Sequence, residues 1–325
     1  MKKISIVIPN YNGEKFLGPC LRSILDQEPG TPPYQVVVID NGSRDGSLEL
    51  LKNQFPQVNV VSFSKNTGFC HAVNTGIMAS DSPYVILLNN DTKAAPGFIK
   101  GLYHALEAHP DAFSVSAAML MWDREELLDD AGDQYCALGW AYSRGKGRPA
   151  KMYSHPCEVF SACGGAAIYR RSVLDQIGLF DEAHFAYLED LDIGWRARIH
   201  GFHNYYEPSA QVVHYGSAST GSRYNEKKTV LAAANNIYVI GKNMPALQII
   251  LNLPFLIPGF FIKFLFFCKK GMGHLYLKGL VRGMDKLFSA HGRQQRVSFR
   301  FRDLGNYFAI QLQLWRNLIR FLKKS

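Results

Sequence analysis

Val85-Ile86-Leu87-Leu88-Asn89-Asn90-Asp91 is the stretch whose reading decides the fold. An apolar run of strand length ends abruptly in three polar residues. Such a run reads as a strand buried on both faces. Its polar end cannot continue into that core. It marks the carboxyl edge of a sheet, where open α/β sheets take their ligands. A lone carboxylate there, Asp91, suits a divalent cation shared with substrate phosphates. Standing alone, the same residues are also a plain polar turn.

Outward from this stretch, strand and helix patterns alternate. Ile4–Ile8, Val36–Ile39, Val58–Ser62 and Tyr84–Leu88 read as strands. Glu14–Gln27, Ser47–Gln54, Phe69–Ser80 and Pro96–His109 read as helices. The alternation predicts an α/β fold with a mostly parallel sheet and helices on both faces. Each strand is followed by small, polar or acidic residues: Pro9-Asn10-Tyr11-Asn12-Gly13, then Asp40-Asn41-Gly42-Ser43-Arg44-Asp45, then Lys65-Asn66-Thr67-Gly68, then Asn89-Asn90-Asp91. All four lie on one edge of the sheet, as a nucleotide site requires. Each is also a turn former. Neither Gly-x-Gly-x-x-Gly nor the P-loop pattern occurs.

The chain has 325 residues, 47% of them hydrophobic, enough for a sizeable core and two domains. Six cysteines without a Cys-x-x-Cys pair fit free thiols in a reducing compartment. The apolar run after Met1-Lys2-Lys3 is too short for a signal peptide, so a cytoplasmic protein is expected. The net charge of +9 is uneven. Residues 226–325 hold 17 Lys and Arg against 3 Asp and Glu, a net of +14, which leaves −5 on residues 1–225. A basic region of this kind expects an anionic partner, either a membrane surface or a nucleic acid.

Residues 111–160 are irregular and read as an extended excursion. Pattern returns at Gly164-Gly165, where a backbone or ligand can approach closely. In Leu188-Glu189-Asp190-Leu191-Asp192 three acids stand among apolar residues. They read as carboxylates at the rim of a pocket, where burial suits a general base. They also suit the N-terminus of the helix expected over Leu191–His200. His214 follows a further strand pattern, Ala210–Val213, and a lone histidine there is usually structural.

Taken together, these motifs resemble glycosyltransferase family 2, the inverting enzymes of the GT-A fold, over roughly residues 4–220. Within it the chain looks most like the bacterial rhamnosyltransferase-type enzymes of surface-polysaccharide assembly (O-antigen, cell wall). The resemblance implies a Rossmann-like GT-A fold. It implies a nucleoside-diphosphate sugar bound by Pro9, Asn10, Tyr11, Asp40, Gly42, Asn66, Gly68, Asn74, Asn89, Asn90 and Asp91. Asn89-Asn90-Asp91 stands where the family places Asp-X-Asp, with Asn for its first Asp. Mg²⁺ or Mn²⁺ is then expected on Asp91 and His214. Gly164, Gly165, Trp195 and Arg196 fall on the acceptor side. Asp190 is the expected base, with Glu189 as runner-up. Residues 1–110 would form the donor half, 111–225 the acceptor half and 226–325 a basic helical region. The donor favoured is dTDP-rhamnose; a UDP-hexose or UDP-N-acetylhexosamine is the alternative.

Ala246–Cys268 is densely apolar but holds Pro254, Pro258 and Lys263. It reads as an interfacial helix, a spanning or re-entrant one, or an ordinary core helix. Leu304, Tyr307, Phe308, Trp315, Leu318, Ile319 and Leu322 form one stripe of a final helix, expected to enter a membrane interface. The expected partners are a lipid-linked saccharide acceptor and an anionic membrane surface at the inner face of the cell membrane, with no nucleic acid. A chain cut after about residue 240 is expected to keep donor binding if the remainder folds. A nucleotidyltransferase is disfavoured by the nearly uncharged loop after the first strand. A non-catalytic sugar-nucleotide-binding module is disfavoured by the set Asp91, Asp190 and His214.

Overall fold

The computed structural model describes residues 2–216 and 225–323. Its first part builds as the alternation predicts. Strands β1 (Ile4–Asn10), β2 (Tyr34–Asp40), β3 (Asn59–Ser62) and β4 (Tyr84–Leu88) alternate with helices α1 (Glu14–Leu25), α2 (Ser47–Gln54) and α3 (Phe69–Met78). These strands are parallel in the order β3-β2-β1-β4. Side chains alternate across the sheet. Ile4, Ile6 and Ile8 join Leu17, Leu21 and Ile24 of α1 in one core layer, and Val7 joins Val73 and Ile77 of α3 in the other. Gly76 permits that second contact, since a Cβ there would lie 2.2 Å from Val7 Cγ1.

The chain continues through β5 (Thr92–Ala94), α4 (Phe98–Glu107), β6 (Ala112–Met121), β7 (Arg124–Asp130), β8 (Asp133–Cys136), β9 (Trp140–Ser143), β10 (Cys157–Val159), β11 (Ala166–Arg170), α5 (Arg171–Ile177), α6 (Glu189–Ile199) and β12 (His203–His214). The sheet extends from β4 through β11, β6, β12 and β10. It is mixed: β11 starts at the carboxyl edge, Ala166 opposite Leu88, and runs antiparallel to β4 and β6. The parallel order expected from sequence therefore stops at β4 and resumes only between β6 and β12. Strands β8 and β9 form a separate hairpin.

Helices α7 (Glu226–Asn243), α8 (Ala246–Lys269), α9 (Gly273–Phe288), α10 (Ala290–Gln295) and α11 (Leu304–Leu322) follow. They are not an appendage. Val239, Ile240, Met244, Leu256, Tyr307, Ile310 and Leu314 share one core with Tyr135, Phe160, Leu191, Trp195 and Ile199. A cut after residue 240 would open that core, so the folding on which the expectation of donor binding depends would lose part of its packing. The stripe expected on α11 is also split. Tyr307, Trp315 and Leu318 turn inward to this core, while Leu304, Phe308, Ile319 and Leu322 are exposed.

Helix α8 runs unbroken through both prolines. Its buried face is Gln248, Asn252, Leu256 and Gly259, and its exposed face is apolar, with Leu247 78%, Ile257 64% and Phe261 58% exposed. The inner face is held by polar contacts. Gln248 and Asn252 each donate to Gln311 Oε1 at 3.1 and 2.7 Å, and Trp140 Nε1 donates to the Gly259 carbonyl at 3.0 Å.

Candidate active site

The four loops predicted to converge do so through hydrogen bonds. Asn90 Nδ2 donates to Asn10 Oδ1 at 2.7 Å, and Asn10 Nδ2 donates to Asp40 Oδ2 at 2.9 Å. The Ser43 amide donates to Asp40 Oδ1. Asn41 accepts from the Thr67 amide and donates to the Gly68 carbonyl. This seam is buried, so Asn10, Asp40 and Asn90 shape the edge, while Tyr11, Asn12, Arg44 and Lys65 reach solvent from it. Gly13 must stay small, since a Cβ there would lie 2.0 Å from Asn90 Nδ2.

At the end of β4, Asp91 is buried and its Oδ1 receives no hydrogen bond. His214, which ends β12, brings Nε2 to 3.3 Å from that oxygen, an ion-pair distance without hydrogen-bond geometry. The other ring nitrogen, Nδ1, lies 2.8 Å from Asp129 Oδ2, and Asp129 also pairs with Lys146. Burial works against an imidazolium, but the flanking carboxylates Asp129 and Asp91 outweigh it and raise the His214 pKa to about 9. The backbone on either side is pinned as well: the Tyr215 amide donates to the Asp91 carbonyl and the Trp122 amide to the His214 carbonyl.

Glu189 and Asp190 open α6. Leu188 before them is in the left-handed region, φ 66°, as are Phe185 and Tyr187. Three such residues in four positions, none of them glycine, cost about 1–3 kcal/mol each and persist only where neighbours fix them. Asp190 is half-buried and accepts from the Gly164 and Leu191 amides at 3.3 and 2.8 Å. Glu189 is buried, with Oε2 unpartnered. Burial first, then the charge of Asp190, pushes Glu189 up to about 8; burial also raises Asp190. Asp130, Asp133 and Cys163 present ligand-type atoms within 4.8 Å of one another, and burial, then the charges of Asp130 and Asp190, push the Asp133 carboxyl well above its usual range. The two glycines join Asp190 and the end of β4: the Asn89 amide donates to the Gly165 carbonyl at 2.8 Å, next to the Gly164 contact with Asp190.

Three predicted site residues are spent elsewhere. Asn74 exchanges two hydrogen bonds with the Phe180 backbone and donates to Glu182 Oε1 at 3.2 Å, so it locks a loop. Trp195 is fully buried between Tyr135 and Phe160. Arg196 is buried on Asp192 and on the carbonyls of Ile177, Gly178 and Leu179. Both face the interior because α6 packs on α5, α7 and α11 and leaves only its N-terminus at the site. Asp129, Asp130 and Asp133 were not singled out by sequence, although three carboxylates after Leu127-Leu128 were a usable signal.

Behind α6 lies a buried ion network. Lys242 of α7 reaches Asp181 at 2.7 Å and Asp192 at 2.9 Å, and Tyr238 and His291 complete the shell of Asp181. Lys242 first, among the groups acting against burial, holds both carboxyls below the usual carboxylate range.

The sequence model of Glycosyl transferase family 2 matches residues 5–178. The chain is 31% identical over 211 residues to the N-acetylglucosaminyl-diphospho-decaprenol L-rhamnosyltransferase of Mycobacterium tuberculosis, covering 58% of this chain and 69% of that protein. Among solved structures it is similar to GalNAc-T7 with UDP, GalNAc and Mn²⁺, with TM-score 0.60 and 16% identity, covering 74% of this chain and 47% of that one. It is also similar to the mannosyltransferase PcManGT from Pyrobaculum calidifontis in complex with GDP-Man and Mn²⁺, with TM-score 0.53 and 14% identity, covering 95% and 87%. The shared fold is the GT-A arrangement that the loop-by-loop reading expects. With more than half its length matched by the family model, this chain belongs to glycosyltransferase family 2 and is a glycosyltransferase.

Proposed function

We propose that the enzyme moves a sugar, with rhamnose from dTDP-rhamnose favoured, from a nucleoside diphosphate to a lipid-linked saccharide in cell-surface polysaccharide assembly. The name of the mycobacterial relative supports both the sugar and the lipid-linked acceptor. One observation supports the chemistry: Asn89, two residues before Asp91 at the end of β4, and Asp190 at the start of α6 are hydrogen-bonded to the adjacent glycines Gly165 and Gly164. A leaving-group site and a base thus share one edge.

Asp91 and His214 would hold Mg²⁺ or Mn²⁺. The residues fit, since Asp91 Oδ1 lacks a donor and Asp129 orients the imidazole so that Nε2 faces it. When bound, such an ion offsets the charge on the departing diphosphate as a Lewis acid. Asp190 takes the proton of the acceptor hydroxyl as its oxygen attacks the anomeric carbon from the side opposite the diphosphate. Displacement from that side inverts the centre, so no enzyme nucleophile is needed. The seam of Asn90, Asn10 and Asp40 keeps the donor loops in register. The exposed face of α8 and the +14 charge of residues 226–325 support a peripheral seat on the inner face of the cell membrane.

The test is nucleoside-diphosphate release from a panel of dTDP-, UDP- and GDP-sugars. Asp190→Asn should keep nucleotide affinity and lose roughly 10²–10⁴-fold in turnover. Asp91→Asn should lose metal-dependent turnover. Full activity of Asp91→Asn in chelator would sink the metal site, and an active Asp190→Asn beside a dead Glu189→Gln would move the base to Glu189.

A further inference from the structure

The loop that delivers Glu189 and Asp190 is tied down from outside the catalytic half. Asn235, fully buried on α7, places the two N–H groups of its amide nitrogen within hydrogen-bond reach of three carbonyls, sharing one: His184 at 2.9 Å, Ala186 at 2.9 Å and Tyr187 at 2.8 Å. The orientation of that amide is set by Lys286 of α9, whose Nζ donates to Asn235 Oδ1 at 2.7 Å and to the Ala183 carbonyl at 2.5 Å. With its oxygen occupied by a cation, the amide must present N–H groups to the loop. The carbonyl between them, Phe185, points the other way and accepts from the Phe69 amide at 2.7 Å, in the first turn of α3 behind Gly68. Residues 184–188 are therefore strung between the donor-side helix α3 and the C-terminal helix α7. The left-handed conformations of Phe185, Tyr187 and Leu188 are what let alternate carbonyls face opposite supports.

We infer that Asn235, oriented by Lys286, is a positioning residue for the catalytic carboxylates. It holds the backbone of 184–188 in the conformation that starts α6 with Glu189 and Asp190 turned toward Gly164. This rests on the reading of Asp190 as the base. Asn235 has no contact with Asp91, His214 or the seam of donor loops among its hydrogen bonds. Its loss should therefore act on turnover and spare nucleotide binding. Displacing a reacting group by about 1 Å is worth about 10²-fold in rate.

The experiment compares the full chain with Asn235→Asp, which keeps the shape and the pairing with Lys286 but donates nothing to the carbonyls, and with Lys286→Met, a milder change at a part-buried site. Three readouts are taken: amide hydrogen exchange over 184–190, calorimetric affinity for dTDP, UDP and GDP with Mn²⁺, and turnover on dTDP-rhamnose or whichever panel donor is used. Exchange in the loop should rise at least ~10-fold in Asn235→Asp while the strands stay protected. Nucleotide affinity and donor KM should stay within about twofold, and kcat should fall roughly 30–100-fold, less in Lys286→Met. Folded variants with wild-type loop exchange or wild-type kcat overturn the inference. So does an equal loss of kcat and nucleotide affinity, which marks a general structural role. If Asp190→Asn is itself fully active, the base assignment falls and the positioning role with it. That failure is recognisable because loop exchange would still rise.

Discussion

If Asp190 is the base, as proposed, its surroundings set the pH behaviour. Burial raises its carboxyl and holds its neighbour Glu189 up to about 8. Only the ionised base accepts a proton, so a raised pKa keeps the base protonated to higher pH. Activity should therefore fall, as pH drops, along an acid limb above the ordinary carboxylate value of ~4. The limb belongs to the coupled carboxyls rather than to one of them. A profile of kcat/KM against pH checks this, and a limb at the ordinary carboxylate value would contradict it. The placement of Asp91, His214 and Asp190 beside the ends of regular elements was legible from the strand and helix patterns next to them. Asp129 was not, because its partner His214 lies 85 residues away and the stretch between β6 and β8 has no distinctive period.

At the scale of elements, sequence told which helices are amphipathic but not which way each one faces. Helix α8 has an inverted pattern: Gln248 and Asn252 are inside because Gln311 of α11 supplies their partner, and the apolar residues are left outside. On α11 Tyr307, Trp315 and Leu318 went inward because Tyr135, Phe160 and Trp195 offered them a core, while Phe308 stayed outside. Neither choice can be made from one helix alone, since a stripe is satisfied by protein or by lipid equally well. The exposed face of α8 predicts co-sedimentation with anionic liposomes, weakened by salt at ~1 kcal/mol per well-placed basic residue. Ile257→Glu with Phe261→Glu should abolish it without changing the thermal unfolding midpoint. Liposome binding that survives the double substitution would remove α8 from the membrane contact.

At the scale of the molecule, the parallel strands and the site edge could be read from the alternation of the first hundred residues. The shared core could not, because it joins segments that are far apart in the chain. Its consequence for stability is direct. A chain ending at residue 240 would leave Tyr135, Leu191, Trp195 and Ile199 without their partners from α8 and α11, and Asp181 and Asp192 without Lys242. Buried carboxylates stripped of their cation cost about 3–5 kcal/mol, a large share of a typical fold's stability. The shortened chain should be insoluble, or lack near-ultraviolet circular dichroism; a cooperatively unfolding, nucleotide-binding fragment would refute this. The hairpin of β8 and β9 shows what the arrangement means in time. Tyr142 donates to the Asn317 carbonyl and Asn317 to the Tyr135 carbonyl, across 175 and 182 residues. A ribosome releases this hairpin, and Asp133 with it, long before it has made α11. Contacts of that span close late and leave apolar surface waiting for its cover. A chain stopped short of α11 should therefore leave this hairpin uncovered and turn over little sugar nucleotide, which an activity assay on arrested chains would check.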